Sequence, residues 1–137
     1  MKKTEIFFPF EPKPKGRPRF TRTGHAYTPK TTHDYEKLIR EHYKENTTDF
    51  YDCAIHIKLI FYMPIPKSTT KKQKALIESG AVKYTKKPDL DNMIKSVTDA
   101  ILGVAYEDDS LITKITAEKK YSSSQVGTLM TIIEDVD

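Results

Sequence analysis

Asp89, Asp91, Asn92 and Lys95 stand close together in the chain, and Glu107, Asp108 and Asp109 follow after one apolar stretch. Three or more carboxylates in one place repel each other unless a cation binds between them. Their oxygens are the hard ligands that Mg²⁺ or Mn²⁺ takes. Two such ions beside a basic surface fit phosphodiester hydrolysis: one acidifies a water, the other stabilises the leaving oxygen. Lys95 lies one helical turn beyond Asp91, where it can contact the scissile phosphate or stabilise developing charge. The competing reading is structural. Asp89 then caps a helix that opens after Pro88, Asp91 favours its positive end, and Asp91 and Lys95 form an i,i+4 pair.

The stretch 13–30 holds Lys13, Lys15, Arg17, Arg19, Arg22 and Lys30 and no acid. In an extended Lys15-Gly16-Arg17-Pro18-Arg19, Arg17 and Arg19 point the same way, and arginine forks suit phosphate oxygens. Lys83, Lys86 and Lys87 carry the basic charge up to Asp89. Lys15, Arg17, Arg19, Arg22, Lys86 and Lys87 are the candidate phosphate contacts. Phe20 and Tyr27 fit either a core position or a stacking surface for a base, the core being favoured.

Elements must bring these residues together. A strand is expected at Thr4–Phe8, with Pro9, Pro12 and Pro14 breaking the chain after it. Phe20–Thr28 reads as a small hairpin turning near Thr23-Gly24. Thr32–Glu45 reads as a helix with Tyr35, Leu38, Ile39 and His42 on one stripe. Cys53, Ile55, Ile57, Leu59, Phe61 and Met63 alternate with their neighbours, a strand by period two. Lys71–Ser79 is a short basic helix capped by Ser68 or Thr69, and Leu90–Leu102 a helix ended by Gly103. Leu111, Ile115, Ala117 and Tyr121 mark another strand, and Gly127–Ile133 a last one. If the first of these runs beside the helix start, Asp108 and Asp109 return toward Asp89 and Asp91. The sum is α+β: one domain spanning 1–137, with a small mixed β-sheet flanked by helices.

Composition excludes several classes. A chain of 137 residues makes one domain. No apolar run reaches the roughly 18 residues of a membrane span, and the N-terminus lacks a signal-peptide pattern. One cysteine, Cys53, makes neither an internal disulfide nor a cysteine zinc site. A soluble, reducing, cytoplasmic setting is expected. The formal net charge of +4 divides into +10 over residues 1–88 and −6 over residues 89–137. A basic body suits a polyanion, and an acidic segment beside it suits one only with cations bound. His25, His33, His42 and His56 have no metal-ligand spacing, and no phosphate-binding glycine loop is present.

Lys87-Pro88-Asp89-Leu90-Asp91-Asn92, Lys95, Asp99-Ala100 and Tyr106-Glu107-Asp108-Asp109-Ser110 together resemble the RusA family of Holliday junction resolvases, found in bacteria and their phages. Lys15-Gly16-Arg17-Pro18-Arg19-Phe20 and Tyr27-Thr28-Pro29-Lys30 are similar to that family's N-terminal region, and the likeness runs over roughly residues 5–133. The resemblance implies a RusA-like fold and a homodimeric, Mg²⁺-dependent endonuclease, with Mn²⁺ able to substitute. Such an enzyme cuts branched DNA, the four-way junctions of recombination and repair, and the gene belongs to a host or a prophage. It implies Asp89 and Asp91 as catalytic metal ligands, Lys95 as the catalytic lysine, and Asp109 as the third aspartate, with Asp108 its alternative. A four-way junction has twofold symmetry, so a twofold dimer presents two matched sites. Two other functions fit parts of the pattern: a non-catalytic module that binds branched nucleic acid, and a glycosyltransferase holding a sugar nucleotide through Asp-x-Asp and a metal. The second lacks a nucleotide-binding βαβ start.

Overall fold

The computed structural model describes residues 2–16, 19–27 and 29–136. The element order is β1 (Lys3–Phe8), β2 (Arg19–Phe20), β3 (Ala26–Tyr27), α1 (Lys30–Asn46), β4 (Ile55–Pro64), α2 (Lys71–Glu78), α3 (Leu90–Ile101), β5 (Ile112–Ser122) and β6 (Gly127–Glu134). One 3₁₀ turn, Asp109–Leu111, leads into β5. The main sheet runs β1-β6-β4-β5, with β4 and β5 parallel and the other pairings antiparallel. The α+β expectation of a small mixed sheet with helices is met.

β4 organises the core. Its expected inward set is buried at Ile55, Ile57, Leu59, Phe61 and Met63, each at most 2% exposed. Burial of such side chains is worth about 1.5–3 kcal/mol each. A parallel neighbour needs a long crossover, and here the crossover is 65–111, which contains α2 and α3. α3 covers the sheet with Met93, Val97, Ala100 and Ile101, all fully buried, and packs on α1.

Four expectations need correction. On α1 the buried positions are Thr32, Tyr35, Ile39 and Tyr43; Leu38 is exposed and His42 only half-buried. The stripe is set by Tyr43, which the expected set left out. The α2 cap is Thr70, not Ser68 or Thr69, in a capping box with Gln73. On β5, Ile115 is exposed, because an outer strand presents part of its alternation to solvent. Finally, β2 and β3 form a separate two-stranded ribbon in which Phe20 is 70% and Tyr27 48% exposed. Neither joins the core. Cross-strand partners Phe20–Ala26 and Arg19–Tyr27 put the two aromatic rings on opposite faces of the ribbon.

Candidate active site

Asp89 occupies the N-cap of α3, yet its side chain makes no cap hydrogen bond. Both its carboxylate oxygens instead accept from Lys87 Nζ, at 2.9 and 3.1 Å. The Lys87 ammonium, with a smaller contribution from Lys119, holds the Asp89 carboxyl below the usual carboxylate range. The structural reading of Asp89 as a cap therefore fails at the side chain, although the backbone position is as expected.

The loop that presents Asp89 is fixed from two sides. Lys119 on β5 donates from Nζ to the carbonyls of Lys86 and Pro88, each at 2.9 Å, and lies over the Tyr84 ring. The Tyr84 hydroxyl donates to the Lys87 carbonyl at 3.0 Å. The Lys87–Pro88 peptide is cis. A groove of about 400 Å³ lined by Pro14, Lys87, Pro88, Asp89 and Asn92 opens in front of this loop. Asp91 is exposed in the first turn of α3.

Lys95 does not pair with Asp91 as the i,i+4 reading has it. Its Nζ lies 3.4 Å from Asp99 Oδ2, one turn in the other direction. The same Asp99 oxygen lies 3.2 Å from Lys15 Nζ, and Lys15 also bonds Glu36 on α1. Burial alone would lower the Lys15 pKa, but Glu36 and Asp99 outweigh it, and the ammonium ends above its ordinary value. Lys15, a candidate phosphate contact, is thus committed to two carboxylates of its own chain.

The two candidate third aspartates have different surroundings. Asp108 caps the 3₁₀ turn: its Oδ2 accepts from the Ser110 backbone at 3.0 Å and from the Ser110 hydroxyl. Those bonds hold its carboxyl below the usual range. Asp109 stands against the buried Tyr106 hydroxyl, which donates to the Thr98 carbonyl of α3. Burial first, then the charges of Asp109 and Asp99, push the Tyr106 phenol up. Asp109 is thereby placed beside α3, but at the level of Thr98 instead of the helix start. Seven residues separate that level from Asp91, about 10 Å of helix rise. The end of β5 that reaches the Asp89 loop is the Lys119 end, so the expected return of the acids to the helix start is only partial. Among the described residues, no three His, Cys, Asp or Glu side chains form one metal-sized group. The donors along this face are all carboxylate oxygen, the ligand chemistry of Mg²⁺ or Mn²⁺.

Of the remaining basic candidates, Arg22, Lys86 and Lys87 are exposed. Arg19 contributes backbone to β2, and Arg17 lies outside the described residues. Asp99, Glu36, Tyr84, Tyr106 and Lys119 are the site residues that sequence reasoning left without a role. Asp99 and Tyr106 carried a signal, as parts of the quoted motif.

An α+β chain with carboxylates and a lysine along one helix, beside exposed basic loops, has the features of a phosphodiester-cleaving protein. The comparisons make that specific. The family described as "Endodeoxyribonuclease RusA" matches residues 9–133. The chain belongs to this endodeoxyribonuclease family. It is also 35% identical over 120 residues to YqaN of Bacillus subtilis (strain 168), described as an uncharacterized protein, covering 82% of this chain and 83% of that one. Among the described residues, no helix is long and apolar enough to cross a membrane.

Proposed function

We propose that the protein is a Mg²⁺-dependent endonuclease that resolves four-way DNA junctions by paired hydrolysis of phosphodiester bonds, acting as a homodimer. The observation that carries this reading is the Asp89 side chain. It sits at a helix N-cap, does no capping, and is one of the residues lining an open groove, with Asp91 following in the first turn of α3. Asp89 and Asp91, at the start of α3, would hold the metal, and Mn²⁺ has the same ligand preference; Asp109 would join them as the third ligand only by closing its separation along α3. When bound there, Mg²⁺ supplies positive charge to the scissile phosphate and acidifies a water.

The chain's own residues do the rest. Lys95 is exposed on the Asp91 face of α3, where its ammonium can meet a phosphate oxygen. Arg22, Lys86 and Lys87 offer exposed charge to the DNA backbone, with Arg17 and Arg19 in the same basic stretch. Phe20 and Tyr27, exposed on opposite faces of the ribbon, support stacking on bases freed at a branch point. Twofold symmetry of the substrate favours two copies of this site at matched positions.

The test is cleavage of a synthetic four-way junction with and without Mg²⁺. Asp91→Asn is expected to abolish cutting while junction binding persists. If that variant cuts at the wild-type rate, the assignment is wrong. A second reading, a module that binds branched DNA without cutting it, is favoured by the lack of a three-carboxylate group among the described residues. Retained binding with no cutting of branched, duplex or single-stranded DNA in either metal would establish it.

A further inference from the structure

Four charged side chains from three parts of the chain meet on the flank of α3. Lys15 comes from the segment after β1, Glu36 from α1, and Asp99 and Lys95 from α3. Two cations face two anions, so the group is neutral as a whole. Lys15, Glu36 and Asp99 are partly buried, with side chains 22, 14 and 22% exposed, while Lys95 is 62% exposed. One carboxylate oxygen, Asp99 Oδ2, therefore serves two ammoniums: an internal one at 3.2 Å and a surface one at 3.4 Å.

The internal ammonium is itself anchored. The Lys15 backbone N–H donates to the Asn92 carbonyl at 3.0 Å, and the next N–H, of Gly16, donates to Thr32 Oγ1 at 2.9 Å. A Cβ on Gly16 would come within 2.5 Å of that hydroxyl, so the chain lies tight against α1. The Lys15–Gly16 main chain is held at both helices, and the Lys15 side chain at both carboxylates.

We propose that Asp99 is the positioning residue for Lys95, and that Lys15 holds Asp99 in that role. The inference rests on Lys95 acting at the scissile phosphate, as proposed above. A lysine on an exposed helix face has a flexible four-carbon stem and a strongly hydrated head. A fixed carboxylate one turn away narrows the positions its ammonium visits. Without Lys15, Glu36 would lose its cation and face Asp99 across the gap, and the repulsion between the two carboxylates would turn Asp99 outward. The basic N-terminal segment and the helix bearing Lys95 are then mechanically one unit.

The experiment measures single-turnover junction cleavage, junction affinity and melting temperature for Asp99→Asn, Asp99→Glu, Lys15→Met, Lys15→Arg and Lys95→Ala. Asp99→Asn and Lys15→Met are expected to cut about tenfold more slowly, since small misplacements of a reacting group are costly. Junction affinity should change by less than about twofold, as the reacting group and not the phosphate grip is disturbed. Asp99→Glu and Lys15→Arg should restore most of the rate. With the lysines ¹³C-methylated, the Lys95 resonance, identified by its loss in Lys95→Ala, should move in both Asp99→Asn and Lys15→Met. Added to Lys95→Ala, Asp99→Asn should cost nothing further. Equal losses on both backgrounds, an unmoved Lys95 resonance, or a rate loss that merely tracks melting temperature would overturn the inference and leave the nuclease reading standing. Wild-type cutting by Lys95→Ala would instead overturn the role of Lys95 in catalysis, and its positioning with it.

Discussion

At Asp89 the two carboxylate oxygens that a cation needs are held by Lys87. A divalent ion entering there must displace an ammonium first. Lys87→Ala is therefore expected to lower the Mg²⁺ concentration at half-maximal cleavage, read from a metal titration. The same change removes an exposed cation from the DNA-facing side, so the slope of log affinity against log salt should shrink by about 1. An unchanged metal requirement would mean that Lys87 does not compete at Asp89. At Phe20 the expectation is of another kind. The ring is 70% exposed and supports no core packing. Phe20→Ala should leave the melting temperature unchanged yet weaken binding to single-stranded or branched DNA by about 1–3 kcal/mol, the usual worth of one stacked base. Equal binding by the variant in a fluorescence titration would remove the stacking role.

Elements with one strong periodicity were legible, and residues whose partners lie far away in sequence were not. The period-two run from Ile55 to Met63 is buried as its pattern implies, because every second side chain of β4 must face the core. α3 ends at Ile101, within a residue of its expected limit at Gly103's neighbour Leu102. On α1, Leu38 and Tyr43 both lie near the stripe, and nothing local tells that Tyr43 reaches inward to donate to the Asp49 carbonyl at 2.7 Å. The pairing of Lys95 was equally hidden. Asp91 and Asp99 are both one turn from it, and the one it pairs with also bonds Lys15, which arrives from the far end of the chain. Spacing did not separate Asp108 from Asp109 either; the difference is that one caps a turn through Ser110 and the other meets Tyr106. This last contact gives a prediction at the level of the α3–β5 junction. Tyr106→Phe leaves the Thr98 carbonyl without its donor and should cost about 1–3 kcal/mol of stability. Chemical denaturation measures it. Cleavage should fall as well, since Asp109 loses the hydroxyl that it stands against.

Over the whole molecule, several groups agree on the direction of one pH effect. Burial raises Tyr35 to about 12, and raises Tyr43 and Tyr106 as well. Lys15 is raised by its carboxylate partners against the effect of burial. In the unfolded chain these groups lose their protons near pH 10. The unfolded state therefore releases protons first, and the stability present below about pH 10 falls as pH rises through the folded values. Denaturant midpoints measured on the alkaline side are expected to drop above that point; constancy through about pH 11 would contradict these environments. The charge division has its own structural counterpart: the −6 segment contains both the acidic face of α3 and the strand that closes the sheet. That strand, β6, is last in sequence but lies between β1 and β4. Synthesis from the N-terminus delivers every carboxylate and lysine of the site before it delivers the strand that joins the two halves of the sheet. A ribosome that has just finished Lys119 has delivered all of these groups and none of β6. A stop codon before Gly127 would therefore remove a strand from the interior of the sheet, not its edge.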